Sequence, residues 1–111
     1  MVHTRSALRR LSTVLKNELI DDVSNKVLSM QISDSLTAFI NYEKTKDGTY
    51  HLIHSEVPQE VQGLGYGHIL VKETFDYIAA NNYKMSISCR FIKRVYEEHK
   101  HDYKQYYVET K

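Results

Sequence analysis

The sequence has little of what disulfide-bonded, cysteine-based zinc or membrane-spanning proteins need. Cys89 is its only cysteine, which excludes an internal disulfide and a zinc knuckle built from several cysteines, and which favours a reducing compartment. No apolar run is long enough to span a bilayer. The 111 residues, 41% hydrophobic and 26% charged, have the balance of one compact globular domain.

Acidic residues are missing from residues 1–17, which carry four basic residues and several hydroxyl side chains. Leucines at helical spacing would give this segment an apolar face: Leu8, Leu11, Leu15 and Leu19. That composition is typical of a mitochondrial transit peptide, and the alternative is a docked amphipathic helix or a frayed leader. We predict a leader over residues 1–20 and a domain over residues 21–111, mitochondrial if the leader targets the protein and otherwise cytoplasmic.

Basic residues are in the minority in residues 18–83, which hold four basic and ten acidic residues. Residues 84–111 reverse that balance with seven basic and four acidic residues, and the chain as a whole has a net charge of +1. A nearly neutral chain is not typical of a general nucleic-acid binder. We therefore expect neither nucleic acid nor a membrane as a partner, although the basic end could attract an anion locally.

Short segments of alternating polarity predict an antiparallel meander of three strands, over residues 24–32, 36–44 and 49–57. Turn residues separate them, and Pro58, the only proline, ends the third strand because it has no N–H to donate. Tyr50, Leu52 and His54 are expected on one face of that strand.

Apolar residues then recur at helical spacing as far as residue 82: Leu64, Val71, Phe75 and Ile78. A short strand over residues 83–89 and a helix beginning at residue 90 follow, and the chain ends in a tyrosine-rich tail. The predicted order is β-β-β-α-β-α, an α+β fold.

Glycine is scarce, yet three of the four glycines lie in "VQGLGYGHILV", residues 61–71, immediately before the predicted helix. Glycines let the chain turn so that the free N–H groups of a helix start converge on an anion such as a phosphate; a plain tight turn is the alternative. A Walker loop is excluded because His68 and Ile69 follow Gly67. A dinucleotide fingerprint is excluded by the spacing and by the preceding meander.

The spacing Gln62-x-x-Gly65-x-Gly67 resembles the pyrophosphate-binding loop of the GCN5-related N-acetyltransferases, the GNAT superfamily. Residues 54–92 resemble a compact subfamily of the N-acetyltransferase domain-containing type, which has a His-Thr-Glu-Val-Pro strand, a Gly-x-Gly helix start and a cysteine ending the next strand. The resemblance implies a minimal GNAT fold and transfer of acetyl from acetyl-CoA to an amine. Because so short a domain lacks the loops that enclose an acceptor, that amine could belong to a protein or peptide.

The resemblance also implies how the cofactor would bind. The strand Leu52–Val57 would diverge from its neighbour and pair with pantetheine, with Val57 near the thioester. The pyrophosphate would lie on the backbone of six successive residues: Gln62, Gly63, Leu64, Gly65, Tyr66 and Gly67. The family usually has arginine at the position of Gln62, so the glutamine loses a charge and weakens the expected affinity.

Two residues are implied as catalytic, each with an alternative. Cys89 corresponds to the cysteine that closes the strand opposite the divergence, either as an acetyl-accepting nucleophile or as a small buried side chain. Tyr96 follows it by seven residues, the spacing of a tyrosine that protonates the departing thiolate in larger relatives, although packing is the alternative. A protein that binds acyl-CoA without turnover is the rival function.

Histidines offer a base but, in our interpretation, no metal site. His54 and Glu56 are candidates for the base that deprotonates the amine, and we interpret the alternation as placing them on opposite faces. His51 and His54 are likewise expected to face opposite ways, and His99 and His101 to diverge. We therefore predict no metal ligands.

Overall fold

The computed structural model describes residues 18–109. These residues form a five-stranded sheet, three helices and two short 3-10 turns. The strands are β1 (Leu19–Asp22), β2 (Val27–Gln31), β3 (Thr37–Lys44), β4 (Tyr50–Glu56) and β5 (Met85–Ile87). The helices are α1 (Tyr66–Ala80), α2 (Arg90–Glu98) and α3 (Lys100–Tyr103), and the 3-10 turns cover Gln59–Val61 and Lys104–Tyr106.

The sheet has the order β1-β2-β3-β4-β5. Its first four strands are antiparallel neighbours, which short turns allow, whereas β5 pairs with β4 in parallel because the chain returns through α1. The predicted α+β class, the antiparallel meander and the α-β-α order that follows it are confirmed.

One strand, β1, was not predicted from the sequence. β1 pairs with β2 from Leu19, opposite Met30, to Asp22, opposite Val27. Our predicted boundary at residue 20 therefore falls inside β1, and Leu19 belongs to the sheet rather than to a leader helix. A four-residue strand that ends in two aspartates has too little alternation to be recognised. The predicted transit peptide otherwise lies outside the described residues.

The core lies between one face of the sheet and the helices. The alternate residues of the central strands are fully buried, and so are the inward residues of α1 and α2: Leu28, Met30, Ile40, Leu52, Leu70, Phe75, Ile78 and Ile92. Period-2 and period-3.6 patterns thus meet in a single apolar cluster. This arrangement fixes where β4 ends relative to the starts of α1 and α2.

A β-bulge interrupts the pairing of β3 with β4. Asn41 lies opposite His54 while Tyr42 lies opposite Leu52, so Ile53 is an extra residue. His54 therefore leaves the face of Leu52, contrary to our expectation. His51 lies opposite Glu43, on the strand face of Asn41, so the bulge also brings His51 and His54 to one face, which corrects the prediction that they face opposite ways.

Asp21 ties β1 to the rest of the domain. Its carboxylate accepts hydrogen bonds from the hydroxyls of Tyr42 (2.6 Å), Tyr50 (2.6 Å) and Tyr77 (2.8 Å). Burial, followed by the hydrogen bond to Asp21, raises the pKa of all three phenols. The tyrosines therefore stay neutral donors, and the short edge strand is held by side chains as well as by its ladder.

Candidate functional site

β4 and β5 diverge at the middle of β4. The parallel pairing runs from Tyr50, opposite Met85, only to Leu52, opposite Ile87. The Ser88 N–H then donates to the Leu52 carbonyl (2.9 Å), and α2 begins at Arg90. β4 continues alone on this side as far as Glu56, which is the divergence that the resemblance implied.

A cleft of about 510 Å³ opens beside the end of β4. The residues that line it come from the end of β4 and the residue after it, from residues 61–68, which we call the glycine segment, and from the start of α2: Ser55, Glu56, Val57, Val61, Gln62, Gly63, Gly65, Tyr66, Gly67, His68 and Phe91. Six of the seven predicted cofactor-binding residues are therefore brought together here. Leu64 is the exception, because it does not line the cleft and is 68% exposed.

The glycines give α1 an open start. Gly63 and Gly65 have left-handed backbones, with φ of +85° and +92°, which other residues adopt only with strain. The first backbone bond of α1 runs from the Ile69 N–H to the Gly65 carbonyl (3.2 Å). The N–H groups of residues 65–68 thus precede the hydrogen-bond ladder of the helix, and they carry its partial positive charge.

Gly67 serves a different purpose. Its backbone is helical, but a Cβ built there would lie 3.1 Å from Phe91 Cζ and 3.6 Å from Val57 Cγ2. A methyl group there would crowd the Phe91 ring, so the glycine allows α2 to approach the first turn of α1 closely. The sequence could place the glycine but not the ring that requires it.

Gln62 connects the glycine segment back to β4. Its Nε2 donates to the Val57 carbonyl (3.0 Å). The side chain that replaces the family's arginine is thus held by the strand, and it fixes Val57 against the glycine segment. The roles proposed for both residues stay predictions.

Cys89 does not line the cleft itself but contacts a residue that does, and it occupies the N-cap position of α2. Its Sγ is 3.5 Å from the hydroxyl of Ser55, which does line the cleft. Burial raises the pKa of the Cys89 thiol, but hydrogen bonds from the Ser55 hydroxyl and from the backbone of Ile92 and Phe91 outweigh it, so the pKa is lowered. These contacts favour a thiolate at the start of a helix.

Tyr96 is placed in the core rather than at the cleft. It is 2% exposed, stacks on Tyr107 with ring centroids 4.5 Å apart and meets Phe75 edge-on at 6.2 Å. Burial raises its pKa. Since Tyr96 is not among the described residues that line the cleft, the structure does not bring together the tyrosine and the predicted cofactor site.

His54 and Glu56 lie on one face of β4, not on opposite faces. His54 Nε2 is 3.2 Å from Glu56 Oε1, because residues two apart in a strand point the same way. Our interpretation of the alternation was wrong on this point. Both side chains are more than half exposed, and Glu56 lines the cleft.

Two further histidine clusters were missed. His51 Nδ1 lies 2.6 Å from Ser86 Oγ, and its Nε2 lies 2.7 Å from Ser88 Oγ; the alternating serines, one in β5 and one just after it, were the available signal. His68 meets Glu98 and His99, which no local spacing reveals because His68 and His99 are 31 residues apart.

The cleft, the glycine segment and the divergence of β4 from β5 together indicate the class of protein. The family model of the GCN5-related N-acetyl-transferase matches residues 27–106, which is more than half of the chain and includes the cleft. The chain therefore belongs to the GCN5-related N-acetyltransferase family, and the family expectation is confirmed.

One solved structure resembles the whole domain. It is the solution structure of a GCN5-like protein from Staphylococcus aureus, described as a candidate N-acetyltransferase. It shares 23% identity with this chain, covers 86% of this chain and 92% of its own, and gives a TM-score of 0.60, so the likeness shows the fold. A comparison with curated proteins gave no significant match. None of the helices described here is long and apolar enough to cross a bilayer.

Proposed function

We propose that this protein binds acetyl-CoA in the cleft beside β4 and transfers its acetyl group to an amine. One observation carries the proposal: an open helix start and an unaccompanied strand end meet in the same cleft. The first suits a phosphate, and the second offers backbone groups to a chain of amides. Acetyl-CoA carries a pyrophosphate at one end of such a chain and a thioester at the other.

The pyrophosphate would bind the N–H groups of residues 65–68. Bare backbone at Gly63 and Gly65 gives a phosphate close access, since nothing lies within 4 Å of a Cβ built at either position. No lysine or arginine is among the described residues lining the cleft. Binding therefore depends on backbone N–H groups and the helix dipole, and we expect a modest affinity.

The pantetheine would lie along β4 beyond Leu52, where β5 has ended. An amide N–H of the ligand would compete with the Gln62 side chain for the Val57 carbonyl. The thioester would then lie near the point where the strands diverge, close to Ser55 and, behind it, Cys89.

We propose direct transfer rather than a route through Cys89. The surroundings of Cys89 favour its own thiolate, but Cys89 does not line the cleft. The amine nitrogen attacks the thioester carbonyl, the C–S bond breaks, and the CoA thiolate leaves. His54 and Glu56, adjacent and exposed, are the proposed acceptors of the amine proton. An open cleft of this kind suits a protein or peptide amine.

Calorimetric titration with acetyl-CoA tests the binding. We expect saturable binding by the wild-type chain and loss of binding in Gly65→Glu, which puts bulk and negative charge at the pyrophosphate. Gly48→Glu is the matched control, because Gly48 also has a positive φ and open space but lies in the turn before β4. Equal loss in both variants, or no binding by the wild type, would contradict the proposal.

Release of free CoA thiol in the presence of a peptide amine tests the transfer. We expect thiol release that persists in Cys89→Ala and falls at least about tenfold in Glu56→Gln, the range that general-base loss commonly exceeds. Tight binding with no thiol release from any amine would instead favour the non-catalytic acyl-CoA-binding module.

A further inference from the structure

Three side chains with metal-ligating atoms converge at the edge of the cleft, which one of them, His68, also lines. His68 lies in the first turn of α1, Glu98 ends α2, and His99 follows it. His68 Nε2 is 3.3 Å from His99 Nε2 and 3.4 Å from Glu98 Oε1. The three ligand atoms all lie within 4.8 Å of one another.

Hydrogen bonding alone satisfies this trio poorly. A single Nε2, that of His68, faces both other atoms and carries at most one proton to donate. Both separations also exceed the usual hydrogen-bond length of about 2.9 Å. They do match two ligand–ligand edges of a tetrahedral zinc site, because ligands about 2.05 Å from the ion lie about 3.3–3.4 Å apart.

We propose that His68, Glu98 and His99 bind a divalent transition-metal ion, Zn²⁺ in particular. Two imidazoles and a carboxylate are a donor set that zinc accepts, with the fourth position left to water or an anion. The side chains of His68 and Glu98 are 46% and 54% exposed, so an ion can reach them.

The proposed ion would have two consequences for the fold. It would tie the first turn of α1, where His68 lines the cleft, to the end of α2. It would also add positive charge beside a cleft lined by no lysine or arginine among residues 18–109. Metal binding itself does not depend on the proposed acetyl transfer.

Zinc titration of the untagged full chain tests the site. After chelator treatment and desalting, calorimetry should give one Zn²⁺ per wild-type chain, and Co²⁺ should give the visible absorption of a four-coordinate site. Outer-shell partners alone change metal affinity about 10–100-fold, so losing a ligand in His68→Ala, His99→Ala or Glu98→Gln should weaken binding by at least about tenfold.

His101→Ala is the matched control, since His101 is exposed on α3 and stands outside the trio. It should bind as the wild type does. Zn²⁺ should raise the unfolding temperature of the wild type but not that of His68→Ala, and far-UV circular dichroism in chelator should show both folded. Absence of saturable wild-type binding, or an equal loss in His101→Ala, would overturn the site.

Discussion

At the scale of single residues, Cys89 illustrates how neighbours set reactivity. Burial disfavours its thiolate, yet four hydrogen bonds, from the side chain and backbone of Ser55 and from the backbone of Ile92 and Phe91, reverse the balance and lower the pKa. The only side-chain donor among them is Ser55. The sequence could predict the helix start that helps the thiolate, but not Ser55, which lies 34 residues away.

The pH dependence of Cys89 alkylation should follow from these contacts. Because the folded pKa is lowered, the rate with iodoacetamide should reach half its plateau below the pH found for unfolded cysteine. Ser55→Ala removes a donor to the thiolate, so the midpoint should move to higher pH. Ser86→Ala removes the same group from the neighbouring strand and should leave the midpoint unchanged.

The lowered pKa of Cys89 also makes the stability of the folded protein depend on pH. A lowered folded-state pKa stabilises the folded protein above the pKa of unfolded cysteine, about 8.5. That contribution declines as the pH falls through the folded-state pKa. If Ser55→Ala left the pH midpoint of Cys89 alkylation unaltered, the backbone N–H groups alone would account for the lowered pKa.

Gly67 gives a second prediction at this scale. In an ordinary helix, alanine in place of glycine would stabilise by up to about 1 kcal/mol. Here the new methyl would meet the Phe91 ring at 3.1 Å, so we expect Gly67→Ala to lower the free energy of unfolding by about 1–3 kcal/mol. Urea denaturation measures this.

A double-mutant cycle identifies the cause of that loss. If the ring is the obstacle, Gly67→Ala should cost much less in a Phe91→Ala background. An equal cost in both backgrounds would mean that the strain lies elsewhere in the first turn of α1.

At the scale of elements, long alternating or periodic segments were predictable and short or irregular ones were not. β3 and α1 were recognised because their apolar residues repeat over eight and fifteen residues. β1 was missed because four residues carry too little pattern, and the direction of His54 relative to His51 and Leu52 was wrong because a bulge shifts the alternation. Bulges depend on pairing between strands, which one strand's sequence does not reveal.

β1 should depend on Asp21 for its attachment. Asp21→Asn weakens the acceptor of three tyrosine hydroxyls, and we expect a loss of about 1–3 kcal/mol in the free energy of unfolding. Asp22→Asn is the matched control, because within residues 18–109 the Asp22 side chain accepts hydrogen bonds from Asn25 alone, in the adjoining turn, and should cost much less. Thermal denaturation of the two variants compares them, and equal losses would assign the effect to charge on β1 alone.

At the scale of the whole molecule, two cavities of similar size that are lined by described residues can be compared as the ligand site. One is the cleft beside the glycine segment, of about 510 Å³. The other, of about 560 Å³, lies by the turn between β3 and β4 and is lined in part by Thr45, Asp47, His51 and Ser86. Volume does not separate them, but only the first lies at an open helix start. The glycine spacing in the sequence pointed to that cavity, and folding adds the strand divergence beside it.

Hydrogen exchange with and without acetyl-CoA decides between the cavities. At a ligand concentration ten times its Kd, linkage stabilises the folded state by about 1.4 kcal/mol and should raise the unfolding temperature by roughly 5–10 °C.

Protection from hydrogen exchange should be strongest at the amides of residues 53–57 and 65–68, where the ligand replaces water. The β1–β2 hairpin, at the edge of the sheet remote from β5, should change least. Gly65→Glu should abolish both effects, whereas Gly48→Glu should retain them. Protection centred on residues 45–51 would move the ligand to the other cavity and, with it, the acetyl group away from the Glu56 end of β4.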